Sequence, residues 1–226
     1  MRLRAVVFDF DGVIANSEPL HFRALRDVLA STGVSLSEPD YYARYLGFDD
    51  VGAFESIGAA NGVEWTPARI ADLVARKAVR LEALERGVSV LFPGAADAVR
   101  RASAAMPVAI ASGARGAEIR RVLEREHLIA CFTAIVAAED TPVSKPAPDP
   151  YLRALAQLAP AFADRLDASD CVAIEDSRWG LQSARAAGLR TVAVTNTYEA
   201  RALTDADLTI SSLTALDLDA LARLCS

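Results

Sequence analysis

An apolar run that stops on two acids and a glycine, Arg4-Ala-Val-Val-Phe-Asp-Phe-Asp-Gly-Val13, constrains the fold of this chain more than any other stretch. Continuous Val and Phe read as a strand buried on both faces, the habit of a parallel sheet covered by helices. Asp9 and Asp11 fall where the chain leaves that strand, and ligands of open α/β sheets bind at this C-terminal edge. Two carboxylates so close repel each other unless a proton or a cation intervenes. Gly12 offers the positive φ that a sharp exit needs. An Asp/Gly turn is common after any strand, so the reading depends on matching groups further along.

The pattern after this turn is helical for a long way. Asn16 and Ser17 are good N-cap types, with Glu18 and Pro19 suited to a first helical turn. Apolar residues recur at helical spacing over Leu20–Leu29, and further helical pieces follow at Asp40–Leu46, Val51–Ala60 and Pro67–Arg86. From Pro93 the rhythm becomes strand–helix alternation. Strands are expected at 107–111, 134–137, 171–174, 191–194 and 208–210, and helices at 95–104, 116–126, 151–158, 178–187 and 213–224. Repeated βα units imply a parallel sheet with right-handed crossovers. The expected architecture is α/β: a Rossmann-like parallel-sheet core from residues 1–15 and 88–226, with an all-helical cap inserted at 16–87.

Composition narrows the function. A net charge of −6 disfavours a nucleic-acid backbone as partner. Cys131, Cys171 and Cys225 are widely spaced without a CxxC, and the chain has two histidines; no zinc ribbon and no disulfide framework is expected. A first strand starting by about the third residue leaves no room for a signal peptide, and no apolar run approaches the ~20 residues of a membrane span. The expectation is a cytoplasmic monomer acting on a small metabolite, with neither nucleic acid nor membrane as partner. Neither GxGxxG nor a P-loop occurs, against a nucleotide-dependent dehydrogenase.

Other strands also end on polar groups. The run Val108-Ala-Ile-Ala-Ser-Gly113 ends on Ser112 and Gly113, a hydroxyl with free backbone N–H groups suited to phosphate oxygens. A proline-rich loop carries Lys145, flanked by Pro146 and Pro148, which stiffen it. Cys171-Val-Ala-Ile-Glu-Asp-Ser177 ends on Glu175 and Asp176, although Asp176 or Ser177 could equally cap the next helix. Hard oxygen donors from Asp9, the Asp11 carbonyl and Asp176 suit Mg²⁺.

In this order, Asp-Phe-Asp-Gly-Val, Ser112, Lys145-Pro and Glu175-Asp176 resemble the four motifs of the haloacid dehalogenase-like hydrolase superfamily. The branch is the one holding β-phosphoglucomutase and phosphoglycolate phosphatase, and the resemblance runs through the whole chain. It implies Asp9 as a nucleophile forming an aspartyl-phosphate, and Asp11 as general acid and then base. It also implies Ser112, Gly113 and Lys145 as phosphate-binding, and Asp9, Asp11, Glu175 and Asp176 as the Mg²⁺ site. The expected activity is hydrolysis of a small phosphomonoester such as a sugar phosphate, with a sugar phosphomutase as the alternative. Three cap positions are candidates for substrate contact. His21 either faces the site or packs with Leu25 and Val28. Lys77 either faces substrate or is solvated beside Arg76 and Arg80. Asp50 stands where β-phosphoglucomutase has an arginine for a second phosphate, which favours water as the phosphoryl acceptor.

Overall fold

The computed structural model describes residues 3–46, 48–86 and 89–225. They fall into two compact units, one of residues 1–16 with 90–226 and one of residues 17–89.

The first unit is built on a six-stranded sheet, parallel throughout, in the order β3-β2-β1-β4-β5-β6. Its strands are β1 (Ala5–Phe8), β2 (Val108–Ala111), β3 (Ala134–Val136), β4 (Cys171–Glu175), β5 (Arg190–Val194) and β6 (Leu208–Ile210). The central strands β1, β2 and β4 are buried at every residue, as an unbroken apolar run requires. Burying Val6, Val7 and Phe8 contributes about 1.5–3 kcal/mol each, which anchors the polar residues that follow. One long core cluster joins Val7, Ala109 and Ala173 of the sheet to Tyr151, Ala154 and Leu158 of a helix at Asp149–Leu158.

The chain leaves this unit after Asn16 and returns at Val90. The outgoing and returning segments pair antiparallel at Ala15 and Leu91, with Asn16 N–H donating to the Val90 carbonyl (2.6 Å) and Phe92 N–H to the Ile14 carbonyl (3.0 Å).

The second unit is helical: α1 (Glu18–Ala30), α2 (Glu38–Arg44), α3 (Asp50–Ala60) and α4 (Pro67–Glu85). Leu25, Leu29, Phe54, Ile57 and Leu73 form the centre of its core. Ser37, Asp49 and Thr66 cap α2, α3 and α4 by accepting from Asp40, Gly52 and Arg69 N–H groups. Ser17 stands at the start of α1 but makes no side-chain cap bond. Gly47, Gly87 and Val88, within or beside the expected loop and linker, lie outside the described residues.

The remaining helices of the first unit are α5 (Ala95–Ala105), α6 (Gly116–Arg125), α7 (Asp149–Leu158), α8 (Arg178–Ala186) and α9 (Leu218–Leu224). The helix expected over 213–224 is broken. A 3-10 turn at Leu213–Ala215 gives way to extended backbone at Leu216, φ −68° and ψ 117°. The Asp217 carboxylate then accepts from Asp219 N–H (3.0 Å) and starts α9 afresh.

Candidate active site

Strand register places the acids. Phe8 pairs with Ile110 on one side and Ile174 on the other, so Asp9 and Glu175 stand one residue beyond the same rung of adjacent strands. Adjacent strands lie about 4.8 Å apart. Asp9 N–H continues the ladder to the Ile174 carbonyl (2.9 Å). The carboxylates of Asp9, Glu175 and Asp176 present oxygens within 4.8 Å of one another, all three residues buried.

Lys145 arrives from the loop between β3 and α7. Its Nζ lies 3.0 Å from Asp9 Oδ1 and 2.5 Å from Glu175 Oε1, and its side chain is 12% exposed. It is therefore a fixed cation of the site and not a solvated loop lysine. Asp9 Oδ1 also accepts from Phe10 N–H (2.7 Å), so that oxygen is held on two sides.

Glu175 has no exposure and its carboxylate is saturated. Oε1 accepts from Lys145 Nζ and from the Tyr151 hydroxyl (2.7 Å). Oε2 accepts from Asp176 N–H (3.2 Å), Ser177 N–H (3.4 Å) and Ser177 Oγ (3.2 Å). Five donors use the roughly four lone-pair directions a carboxylate offers. Ser177, not Asp176, caps α8 by accepting from Gly180 N–H (3.0 Å), which leaves the Asp176 carboxylate in the acid group.

Gly12 takes φ +79°, and a Cβ there would fall 1.9 Å from Asp176 Oδ2. Only glycine allows both the turn and the approach of Asp176. Two residues that the sequence did not mark complete this corner. Asn196 Nδ2 donates to the Gly12 carbonyl (2.8 Å), and the Thr197 side chain hydrogen-bonds Asp176.

Asp11 is half-buried on the same exit turn, and its carboxylate is not one of the three close-set acids. Ser112 follows β2 at this sheet edge, 3% exposed, its Oγ accepting from Ala114 N–H (3.1 Å). Gly113 beside it is exposed, with open space where a Cβ would stand.

His21, Asp50 and Lys77 belong to the helical unit and meet one another there. Lys77 is 3% exposed, against the expectation that it could be solvated. Its Nζ contacts His21 Nδ1 (2.9 Å) and forms an ion pair with Asp50. The charge expected at the Asp50 loop tip is thus matched inside this unit. Arg76 and Arg80, by contrast, pair at the surface with Asp72 and Asp27. Leu25 and Val28 are in the helical core, so His21 both shares their helix and makes a polar contact.

Three carboxylates face one ammonium, which leaves two negative charges unmatched if all ionise. Burial, then repulsion from Glu175, pushes Asp9 up to about 7 despite Lys145. Burial, with Glu175 and Asp9, also raises Asp176 well above the ordinary carboxylate range. Burial opposes the charge of Lys145, but Asp9 and Glu175 more than offset it and raise its pKa. A carboxyl with a raised folded-state pKa contributes stability present at low pH and lost as pH climbs through the folded value. Lys145 stays charged throughout that window. Metal-free protein is therefore expected to melt at progressively lower temperature as pH rises from 3.8 to about 7, with Mg²⁺ flattening the slope. Thermal unfolding with chelator and with Mg²⁺ across that range checks it; parallel curves refute it.

The donor set fits a hard divalent cation. Oxygen donors alone converge, the cluster lacks a histidine or cysteine, and two excess charges await neutralisation. Asp9 and Asp176 are the carboxylates with capacity to hold it.

A doubly covered parallel sheet with buried acids and a lysine at its C-terminal edge defines an α/β enzyme whose chemistry sits at the strand ends. The sequence profile described as haloacid dehalogenase-like hydrolase matches residues 6–194. Protein CbbY of Rhodobacter capsulatus is 35% identical over 207 residues, 88% of each chain. Hexitol phosphatase B of Escherichia coli K12 is 32% identical over 194 residues, covering 85% of this chain and 84% of that protein. The crystal structure of a CbbY mutant from Rhodobacter sphaeroides in complex with xylulose-(1,5)bisphosphate superposes with a TM-score of 0.83 at 27% identity, covering 96% of both chains. Relatives named as a sugar-phosphate phosphatase and as a β-phosphoglucomutase both occur. This chain belongs to the haloacid dehalogenase-like hydrolases, in the branch of sugar phosphatases and phosphomutases.

Proposed function

We propose that this protein is a Mg²⁺-dependent phosphatase of a small phosphorylated metabolite, a sugar phosphate or similar phosphomonoester, working through an aspartyl-phosphate on Asp9. The observation that carries the reading is the Asp9 carboxylate, held by Lys145 and Phe10 N–H within a buried acid group. A carboxylate fixed on one oxygen keeps the other for attack. In the first step a P–O bond forms from Asp9 as the bond to the leaving alcohol breaks, and Asp11 gives that alcohol its proton. In the second, Asp11 takes a proton from water, the water oxygen bonds to phosphorus, and Asp9 leaves as carboxylate. Ser112, Gly113 and Lys145 bind the phosphoryl oxygens, and Lys145 offsets repulsion between Asp9 and its anionic substrate. Mg²⁺ held by Asp9, Asp176 and the Asp11 carbonyl would supply positive charge to the same oxygens.

The substrate class rests on relatives: one is named for hexitol phosphates, and another crystallised with a pentulose bisphosphate. The helical unit is the cap in this reading, joined through segments near Asn16 and Val90 that act as hinges. The reading includes a cytoplasmic, monomeric enzyme, a setting suited to free Cys131, Cys171 and Cys225.

Phosphate release from a panel of hexose, hexitol and pentose phosphates, with Mg²⁺ and with chelator, tests the proposal. Release confined to the Mg²⁺ arm is expected. Chelator-resistant turnover overturns the metal role, and bisphosphate-primed isomerisation of a sugar phosphate without net release selects the phosphomutase.

A further inference from the structure

We propose that Tyr151 is a positioning residue that acts through Glu175 to set the Lys145 ammonium for the transferring phosphoryl group. The proposal rests on the phosphatase reading and extends it to a residue outside the four motifs.

Tyr151 is fully buried in the core beneath the sheet edge, yet it makes two polar contacts there. Its hydroxyl donates to Glu175 Oε1 at 2.7 Å, the same oxygen that receives Lys145 Nζ at 2.5 Å. Its ring centroid lies 5.2 Å from Lys145 Nζ, within cation–π range. One side chain thus touches both the ammonium and the carboxylate that orients it. The alternative, a core tyrosine with an incidental bond, accounts for the hydroxyl alone and not for the ring contact.

Glu175 is suited to transmit this effect. Its oxygens are taken by protein donors, so it mounts Lys145 and holds no metal directly. Without the hydroxyl, Oε1 loses a fixed donor and the carboxylate gains freedom to swing. Lys145 Nζ is tied to Asp9 at 3.0 Å as well, so it would shift without leaving. The consequence falls on phosphate binding and on the chemical step, and spares the metal.

Phosphate binding by calorimetry in Mg²⁺, Mg²⁺ binding by calorimetry, and steady-state kinetics on Tyr151→Phe give the test. The variant keeps the ring and the packing. Inorganic phosphate should bind about 10-fold more weakly, the size expected for losing one hydrogen bond to a charged group. Mg²⁺ affinity should stay within about 2-fold, while the melting temperature should fall by roughly 3–12 °C, the loss expected for one buried hydrogen bond to a charged group in a chain of this size. Phosphate affinity within about 2-fold of native, or Mg²⁺ affinity changed as much as phosphate affinity, overturns the proposal. In a Lys145→Ala background Tyr151→Phe should add nothing to the loss of phosphate affinity, because its effect runs through that lysine; an additive loss also overturns it. If native protein binds no phosphate in Mg²⁺, the phosphatase reading itself fails, a result distinct from native and variant binding equally.

Discussion

Asp9→Asn is expected to lower turnover about 10⁴-fold or more, the scale of losing a covalent nucleophile, while metal-free protein becomes more stable. The two effects share one cause. The Asp9 carboxylate is buried, faces Glu175, and sits near Asp176. Its charge is unfavourable in the fold, as its rise to about 7 records. The amide is close in shape, keeps an oxygen for Lys145 and Phe10 N–H, and carries no charge to desolvate. Its melting temperature in chelator should exceed that of native protein, with the gap widening as pH rises from 3.8 to about 7 and levelling off above that. Mg²⁺ should stabilise native protein more than the variant, because one ligand charge is gone. Active sites commonly hold such strain at a cost in stability. Unchanged turnover sinks the nucleophile assignment; lost turnover with a lower metal-free melting temperature sinks the electrostatic account.

The legibility of this site in the sequence followed the physics of each residue. Asp9, Ser112 and Glu175 could be read because each ends a continuous apolar run, and a parallel sheet brings such ends to one edge. Lys145 was marked by its prolines. Tyr151 was invisible as a polar residue, since Tyr151, Ala154 and Leu158 repeat at helical spacing and read as core. They are core, and the hydroxyl at one end is known only from what lies beside it. Thr197 gave no signal, being one hydroxyl in a loop distant in the chain from Asp176. The His21–Lys77–Asp50 contact joins three helices, and no local pattern encodes a pairing across so many residues. Boundaries depended on caps. Asp217 restarted a helix within an apolar stretch that otherwise reads as continuous.

Gly180→Ala is expected to damage the fold and the site together, although alanine is the better helix former. Gly180 lies in the first turn of α8. A Cβ there would stand 1.9 Å from Glu175 Cδ, 1.9 Å from Oε1 and 2.0 Å from Oε2. Its φ is not in the left-handed region, so space and not strain is the reason for glycine. A long side chain could normally swing aside, but the Glu175 carboxylate is buried and bonded to Lys145, Tyr151 and Ser177. Displacing it would strip those groups of their acceptor, and breaking a buried charged pair costs about 3–5 kcal/mol. The expected result is a loss of about 3 kcal/mol, a melting temperature lower by roughly 6–12 °C for a chain of this size, and turnover near background. Gly113→Ala is the stability control, since nothing lies within 4 Å of a Cβ there, and it should melt with native protein. Adding Glu175→Ala to Gly180→Ala removes the overlap but leaves Lys145, Tyr151 and Ser177 without the same acceptor. The double variant should therefore melt close to Gly180→Ala, well above the sum of two independent losses, and without turnover. If Gly180→Ala alone melts with the native protein, the packing of Glu175 against α8 is not the constraint described.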